Sequence, residues 1–207
     1  RNYTRSWAKD PNLTYDQAKR LAYNVYIKKY LRCLKGVDDN LQRLFDYLKK
    51  EGVYDNTVII FLSDNGANPW YTDEYPGAKE PEFRDKFDNS LENVGKPGSN
   101  YAFGFGFARG SGGPLDKFKF TVGEGGIRSP LLISGPGLKG DRQSNSFAYV
   151  TDIMPTILEL TGVDYPAEFR GRKVKPMRGR SMVDLLDDTT KDIYGSDEFV
   201  GGEMGGG

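Results

Sequence analysis

The chain has 207 residues, which is long enough for one domain with a hydrophobic core. Lys+Arg and Asp+Glu number 29 each, so the charge balance argues against nucleic acid or an anionic membrane surface as a partner, and no apolar stretch is long enough to span a bilayer. Cys33 is the single cysteine, which excludes an internal disulfide. Histidine is absent, so catalysis by these residues would use carboxylates, Lys, Arg or Tyr.

A long helix is the first predicted element. Thr14 and Gln17 have the spacing of a capping box, in which each side chain bonds the other residue's backbone amide. Apolar residues at helical spacing continue to Leu48, and Gly36 is the one residue that would interrupt them. Gly52 follows two lysines and a glutamate, so the helix is predicted to end just before it.

Three chemically distinctive residues fall inside this predicted helix. Cys33 lies within the pattern and is predicted to be a small buried hydrophobe rather than a nucleophile. Asp38 and Asp39 resemble a paired-carboxylate motif, but adjacent helical residues point in different directions. We therefore predict structural or surface roles for both aspartates.

The segment 58–66 (VIIFLSDNG) predicts a strand and a site. Its short apolar run, rich in β-branched residues, is typical of a strand buried on both faces of a parallel sheet. Ligands gather beyond the carboxyl ends of such strands, where Asp64 and Asn65 offer two hard oxygen donors suited to Ca²⁺ or Mg²⁺. The alternative is that Asp64, Asn65 and Gly66 form only a turn, which these residue types also favour.

Residues 67–118 are rich in Gly, Pro and aromatic side chains. A loop of this length in a compact domain is functional or disordered, and the aromatic content argues against disorder. We predict an ordered insertion folded over the site that begins at Asp64. Its aromatic run, residues 101–107, either lines an aryl pocket or anchors the loop.

Regular structure is predicted to return after residue 126. Residues 127–137 predict a second buried strand followed by a turn. Asp152 is predicted to cap a helix that has Pro155 in its first turn and ends at Gly162, and 181–186 predict one more short helix. Helix followed by buried strand indicates the α/β class.

Taken in order, four segments carry a family resemblance: 37–40 (VDDN), 63–66 (SDNG), 119–130 (KFTVGEGGIRSP) and 151–156 (TDIMPT). The set resembles the later part of the sulfatase catalytic domain, within the alkaline-phosphatase-like superfamily. Segments 87–95 and 178–181 resemble the bacterial arylsulfatases in particular. The resemblance runs from about residue 14 onward. It implies an α/β fold: part of an alkaline-phosphatase-like sandwich with a mostly parallel central sheet flanked by helices.

The resemblance also implies site residues. Asp64 and Asn65 match two ligands of a calcium ion on which the sulfate ester lies. Lys119 matches the lysine that contacts the sulfate and the leaving oxygen, with Lys117 as a rival two residues away. Glu124 is expected to be structural, and Arg128 is expected to pair with a buried carboxylate or carbonyl.

The departures from the family pattern matter as much. A formylglycine, made from Cys or Ser in a Cys/Ser-x-Pro-x-Arg motif, attacks sulfur in this family, and the chain contains no such motif. The remaining ligands, lysine and histidines are expected upstream of Arg1. We therefore expect residues 1–207 to be an incomplete catalytic domain that is inactive alone and needs the remainder of its polypeptide. The expected substrate is a small sulfate ester. No nucleic acid or membrane partner is expected.

Three functions are therefore compatible with the sequence. The first is an arylsulfatase, a sulfuric ester hydrolase. The second is a phosphodiesterase or phosphonate monoester hydrolase of the same superfamily, because phosphate and sulfate esters share a tetrahedral geometry and a similar charge clamp. The third is a non-catalytic remnant. The physiological substrate, the compartment and the oligomeric state are left open.

Overall fold

The structure is a computed structural model that describes residues 12–71, 74, 80–90, 92–100, 102 and 104–201. The chain divides into two units: the first holds residues up to 55 and 60–132, and the second holds 56–59 and 133–201. Within the described ranges, no helix combines the length and the apolarity needed to cross a membrane.

Helix α1 (Tyr15–Lys50) confirms the predicted long helix, and Gly36 does not interrupt it. The capping box is present: the Gln17 amide donates to Thr14 Oγ1 at 3.3 Å, and the Thr14 amide donates to Gln17 Oε1 at 2.8 Å. After α1 the chain turns through Gly52, whose φ of +70° is a conformation that glycine adopts without steric cost.

One face of α1 packs against the insertion. Lys29 and Arg32 lie against Val94 and Gly95: Arg32 donates to the Val94 carbonyl, and Lys29 is only 7% exposed. Cys33 is exposed, so its predicted burial is wrong. The helix presents a cationic pair, rather than its small hydrophobe, to this part of the insertion.

The elements that follow α1 are a 3-10 turn (Tyr54–Asn56), β1 (Ile59–Leu62), α2 (Pro81–Arg84), α3 (Gly104–Gly112), α4 (Glu124–Ile127) and β2 (Leu131–Ser134). The insertion 67–118 is therefore not a continuous loop, because α2 and α3 fall within it. Helix α3 forms although four of its nine residues are glycine, since its Phe107 ring stacks on Tyr26 of α1 at 5.0 Å. In the aromatic run, Tyr101 and Phe103 lie outside the described residues.

Strands β1 and β2 pair in a two-stranded sheet. The prediction that both strands are buried is wrong: Phe61 and Leu62 are 41% and 39% exposed, and Leu132 is 60% exposed. In the described part of the chain this sheet has no third strand, so apolar side chains that a wider sheet with flanking helices would cover stay open to solvent. A mostly parallel central sheet remains a prediction.

The second strand also begins later than predicted. Ile127 belongs to α4 and is 57% exposed, because the Arg128 amide donates to the Glu124 carbonyl and closes a helical turn there. Pro130 then precedes β2, and a proline lacks the amide that could continue the turn.

The second unit contains a 3-10 turn (Val150–Asp152), α5 (Ile153–Thr161), the antiparallel pair β3 (Glu168–Phe169) and β4 (Arg172–Lys173), and α6 (Val183–Leu186). Helix α5 ends at Gly162, as predicted, and this glycine has a φ of +65°. Helix α6 confirms the last short helix. The Met182 amide donates to Thr156 Oγ1 at 2.9 Å, and both residues are buried, so this bond joins α6 to α5 inside the unit.

Candidate active site

The segment after β1 and the segment around Lys119 are joined by backbone hydrogen bonds. The Gly66 amide donates to the Gly126 carbonyl at 2.9 Å, and the Lys119 amide donates to the Ala67 carbonyl at 3.0 Å. Two motifs more than fifty residues apart in sequence are thus held side by side. The structure brings together the two segments that carry the predicted metal ligands and the predicted sulfate-contacting lysine.

Glycine is required at this junction because the two backbones touch. A Cβ on Gly66 would overlap the Gly125 carbonyl oxygen, and a Cβ on Gly126 would lie 2.5 Å from the carbonyl oxygens of Phe118 and Thr121. Contacts this short do not occur with real Cβ atoms. The GEGG pattern in 123–126 therefore has a steric cause within this chain.

Asp64 and Asn65 present oxygen atoms that the fold does not use. Asp64 is exposed, and its carboxylate makes no hydrogen bond or ion pair with the described residues. The Asn65 Nδ2 atom donates to the Gly66 carbonyl at 3.0 Å, while Ser63 Oγ donates to the Asn65 carbonyl at 2.9 Å. Because its amide nitrogen is engaged locally, the Asn65 side chain keeps its Oδ1 available to a ligand.

Lys119 and Lys117 occupy different environments. Lys119 is half-buried, and its Nζ lies 5.1 Å from the centre of the Phe120 ring, with no ion pair in the described part of the chain. Lys117 is exposed, has a φ of +68°, and lays its side chain against Gly123. Of the two lysines, Lys119 is the one whose backbone is bonded to the Asp64 segment.

The neighbouring charged residues have surface roles. Glu124 and Arg128 form an ion pair at 3.6 Å, with side chains 59% and 58% exposed. The expectation of a buried partner for Arg128 is therefore wrong, because both groups lie on the solvent side of α4. Asp39 pairs with Lys35 at 2.6 Å on the exposed side of α1, and Asp38 is exposed, which confirms their predicted surface placement.

Asp64 and Asn65 offer the kind of donor atom that calcium binds, but they supply only part of a calcium site. Ca²⁺ takes six to eight oxygen ligands, and Asp64 and Asn65 offer adjacent uncommitted oxygens of the right chemistry. Among the described residues, no three side chains of His, Cys, Asp or Glu type come close enough to hold a metal ion. Further ligands would have to come from elsewhere.

A second polar cluster, in the other unit, was missed from the sequence. Asp152 is fully buried and accepts from the Tyr149 amide at 2.6 Å, the Arg180 amide at 2.9 Å and the Tyr194 hydroxyl at 2.7 Å. The predicted helix cap at Asp152 is therefore wrong in its role, since the side chain makes no cap bond to α5. The 151–156 motif contains Asp152 and the 178–181 motif contains Arg180, but nothing in either motif indicated that these two residues are partners.

Arg180 and Tyr194 complete this cluster at its outer side. The Arg180 guanidinium donates to Glu198 at 2.6 Å and lies 4.7 Å from the centre of the Tyr194 ring. The hydrogen bond from Arg180 holds the pKa of Glu198 at about 2, and burial, with the bond to Asp152, raises the pKa of Tyr194 to about 12. Across ordinary pH, Arg180 and Glu198 therefore stay charged and Tyr194 stays neutral, which suits a structural role.

Comparison with known proteins identifies the family. A sulfatase family model matches residues 2–163, well over half of the chain. The chain belongs to the sulfatase family. It is 37% identical to an uncharacterized sulfatase of Schizosaccharomyces pombe over 98% of the chain, and 36% identical to an arylsulfatase of Klebsiella aerogenes over 82% of the chain.

The more distant relatives are sulfatases as well. The chain is 28% identical over 75% of its length to an N-acetylglucosamine-6-O-sulfatase of Bacteroides thetaiotaomicron. The resemblance is not confined to bacterial proteins, because the fungal relative matches as well as the Klebsiella one. The chain spans 36% of the length of each of those two relatives, about a third of a complete sulfatase.

Proposed function

We propose that this chain forms part of the active site of a sulfuric ester hydrolase that acts on aryl sulfates. The observation that carries the proposal is the junction of two backbone segments, one ending β1 and one carrying Lys119. The Asp64 carboxylate and the Lys119 ammonium emerge from these joined segments without an ion pair in the described residues. The free carboxylate can hold a metal cation, and the free ammonium lies on the segment joined to it. This arrangement suits an anionic ester that binds to both the cation and the ammonium.

In this proposal each residue has a distinct role. Asp64 and Asn65 bind calcium through their side-chain oxygens, as two of its ligands. Lys119 donates a hydrogen bond to the ester oxygen and stabilises the negative charge that develops there as the phenolate leaves. A bound calcium ion would polarise the sulfate oxygens, and a formylglycine elsewhere in the protein would supply the nucleophile.

The proposal extends to the organisation of the chain. Residues 1–207 belong to one sulfatase catalytic domain, in which 67–118 form the insertion beside the active site. The additional calcium ligands and the nucleophile belong to the remainder of the same polypeptide. The bond from the Lys119 amide to Ala67, the first residue of the insertion, supports this placement.

The two lysines provide a matched test in the full-length protein. Lys119→Met should lower kcat/KM for 4-nitrophenyl sulfate by about 100-fold or more, the usual loss when one donor to a developing oxyanion is removed. Lys117→Met should change it by less than about twofold, because Lys117 lies against Gly123 and faces solvent. Equal losses in the two variants would contradict the assigned role of Lys119.

Substrate preference separates the sulfatase proposal from the phosphoester alternative. A phosphodiester presents the same tetrahedral oxygens to Asp64, Asn65 and Lys119, so these residues alone do not separate the reactions. The full-length protein should hydrolyse 4-nitrophenyl sulfate with a higher kcat/KM than bis(4-nitrophenyl) phosphate. The reverse order would replace the sulfatase proposal with a phosphodiesterase one.

A further inference from the structure

Phe120, which directly follows Lys119, has an unusual backbone. Its φ is +70°, in the left-handed region that bulky residues rarely adopt, and its side chain is 47% exposed. An exposed aromatic ring contributes little burial to offset such a conformation. Residues held in this region cluster at functional sites, where the surrounding structure maintains them.

The Phe120 ring lies near both the proposed catalytic lysine and a tryptophan. Lys119 Nζ is 5.1 Å from the ring centre, and the Trp70 ring centre is 5.3 Å away with the two planes tilted by 30°. Trp70 is fixed by its backbone: its amide donates to Asn68 Oδ1 and its carbonyl accepts from the Gly104 amide, each at 3.0 Å. The two rings therefore form an ordered apolar surface beside the ammonium group.

Other aromatic side chains of the insertion are used for packing. Phe107 stacks on Tyr26 of α1, and Phe105 contacts Phe118 edge to face with ring centres 5.3 Å apart. A Cβ on Gly104 would lie against the Tyr71 ring, so the start of α3 is also closely packed. These contacts anchor the insertion. Among the described residues, Phe120 is the aromatic side chain whose ring lies near Lys119 Nζ, and Trp70 is its ring partner.

We propose that Phe120 and Trp70 form the platform that selects aromatic leaving groups. This inference rests on the proposed function, in which the Lys119 ammonium contacts the ester oxygen. The organic group bonded to that oxygen must lie within a few ångströms of Nζ, where the neighbouring apolar surface is the Phe120 ring. A flat aryl group gains ring-to-ring contact there, whereas an alkyl chain gains only part of the same contact area.

The test compares two classes of substrate in the full-length protein. Phe120→Leu retains an apolar side chain and must adopt the same positive φ, but it removes the ring. Phe120→Tyr retains the ring and is the matched control. We expect Phe120→Leu to lower kcat/KM for 4-nitrophenyl sulfate by about 3- to 10-fold, the range for one aromatic pair, and to leave kcat/KM for hexyl sulfate within about twofold. Phe120→Tyr, which keeps the ring, should retain the preference of the unaltered protein for the aryl ester over the alkyl ester.

Equal losses on both substrates would overturn the platform, because a general distortion of Lys119 lowers both alike. No loss on the aryl ester would overturn it too. If Phe120→Leu fails to fold, Trp70→Leu carries the same expectation. Inhibition of the unaltered protein by phenol and by cyclohexanol is an independent check, and phenol should bind at least threefold more tightly.

The two proposals fail separately. If the protein hydrolyses bis(4-nitrophenyl) phosphate in preference to sulfate esters, and Phe120→Leu still lowers turnover of the aryl ester, the platform stands while the sulfatase assignment falls. If aryl sulfates are hydrolysed but preference over alkyl sulfates is unchanged in Phe120→Leu, the sulfatase assignment stands and the platform falls.

Discussion

The amide nitrogen of Gly66 lies 2.9 Å from the carbonyl oxygen of Gly126, and no side chain separates the two backbones. This bond connects the turn that holds Asp64 and Asn65 to the short helix α4, which begins five residues after Lys119. The relative position of the proposed metal ligands and the proposed lysine is therefore set by main-chain atoms. It does not depend on the rotamer of an intervening side chain.

The first prediction concerns Gly66 itself. Gly66→Ala should destabilise the protein by about 2 kcal/mol or more, since the new methyl group would overlap the Gly125 carbonyl and force the backbones apart. Gly36→Ala is the matched control: nothing lies within 4 Å of its added Cβ, so it should stabilise α1 by about 0.5–1 kcal/mol. Urea unfolding of both variants measures this. Equal effects would show that the close approach at Gly66 is wrong.

The second prediction concerns calcium. Two oxygen ligands out of the six to eight that Ca²⁺ prefers should give the 207-residue chain alone a Kd of about 1 mM or weaker, measured by calorimetry. The full-length protein should bind far more tightly, and Asp64→Ala should weaken that binding, whereas Asp38→Ala on α1 should not. Micromolar binding by the isolated chain, lost in Asp64→Ala, would mean that it holds more ligands than we assign.

The third prediction concerns the buried amine of Lys29. Burial lowers its pKa from 10.5 to about 8, which corresponds to about 3 kcal/mol. Between these two pH values the unfolded chain binds more protons than the folded one, so the free energy of unfolding should rise with pH across this window. Lys29→Met should remove that rise and unfold at higher urea concentration at pH 7.

Lys28→Met is the control for this pH dependence, because Lys28 neighbours Lys29 on α1 and is exposed. It should keep the dependence of the unaltered protein. If Lys29→Met and the unaltered protein show the same slope between pH 8 and 10, Lys29 is not the group responsible.

The fourth prediction concerns Asp152. Asp152→Asn replaces one accepting oxygen by an amide group that cannot accept from a backbone amide or the Tyr194 hydroxyl, so it should destabilise by about 2–3 kcal/mol. Loss of the carboxylate charge should also lower the pKa of Tyr194 from about 12 toward its ordinary value of 10. Burial, the larger cause, remains, so the pKa should not fall the whole way.

Ultraviolet titration with Tyr194→Phe as the reference isolates this tyrosine from the others. Asp164→Asn, an exposed position shortly after α5, should change neither the stability nor the titration. An unchanged Tyr194 pKa in Asp152→Asn would refute the hydrogen bond.

The sequence predicted best where structure is determined locally. The capping box at Thr14 and the end of α5 at Gly162 require only neighbouring residues, and both were predicted correctly. Helix α3 was missed because glycine disfavours helices, and the contact of Phe107 with Tyr26, eighty-one residues away in sequence, cannot be derived from propensity.

Burial was the other source of error. The apolar run in β1 predicted full burial, but burial depends on which strands and helices cover the sheet, and the described residues contain one partner strand. In the candidate site, the residue types of Asp64, Asn65 and Lys119 were identified from their motifs. The main-chain bonds that join their segments, and the unusual φ of Phe120, have no signature in a single sequence.

The Asp152 cluster has a consequence for how the protein is made. A ribosome releases the chain from its amino end, so α5 leaves the exit tunnel before Arg180 and well before Tyr194. Until those residues follow, the Asp152 carboxylate lacks two of its three hydrogen-bond donors, and burying it is unfavourable. Completion of the second unit must therefore wait for the synthesis of at least forty-two more residues after Asp152.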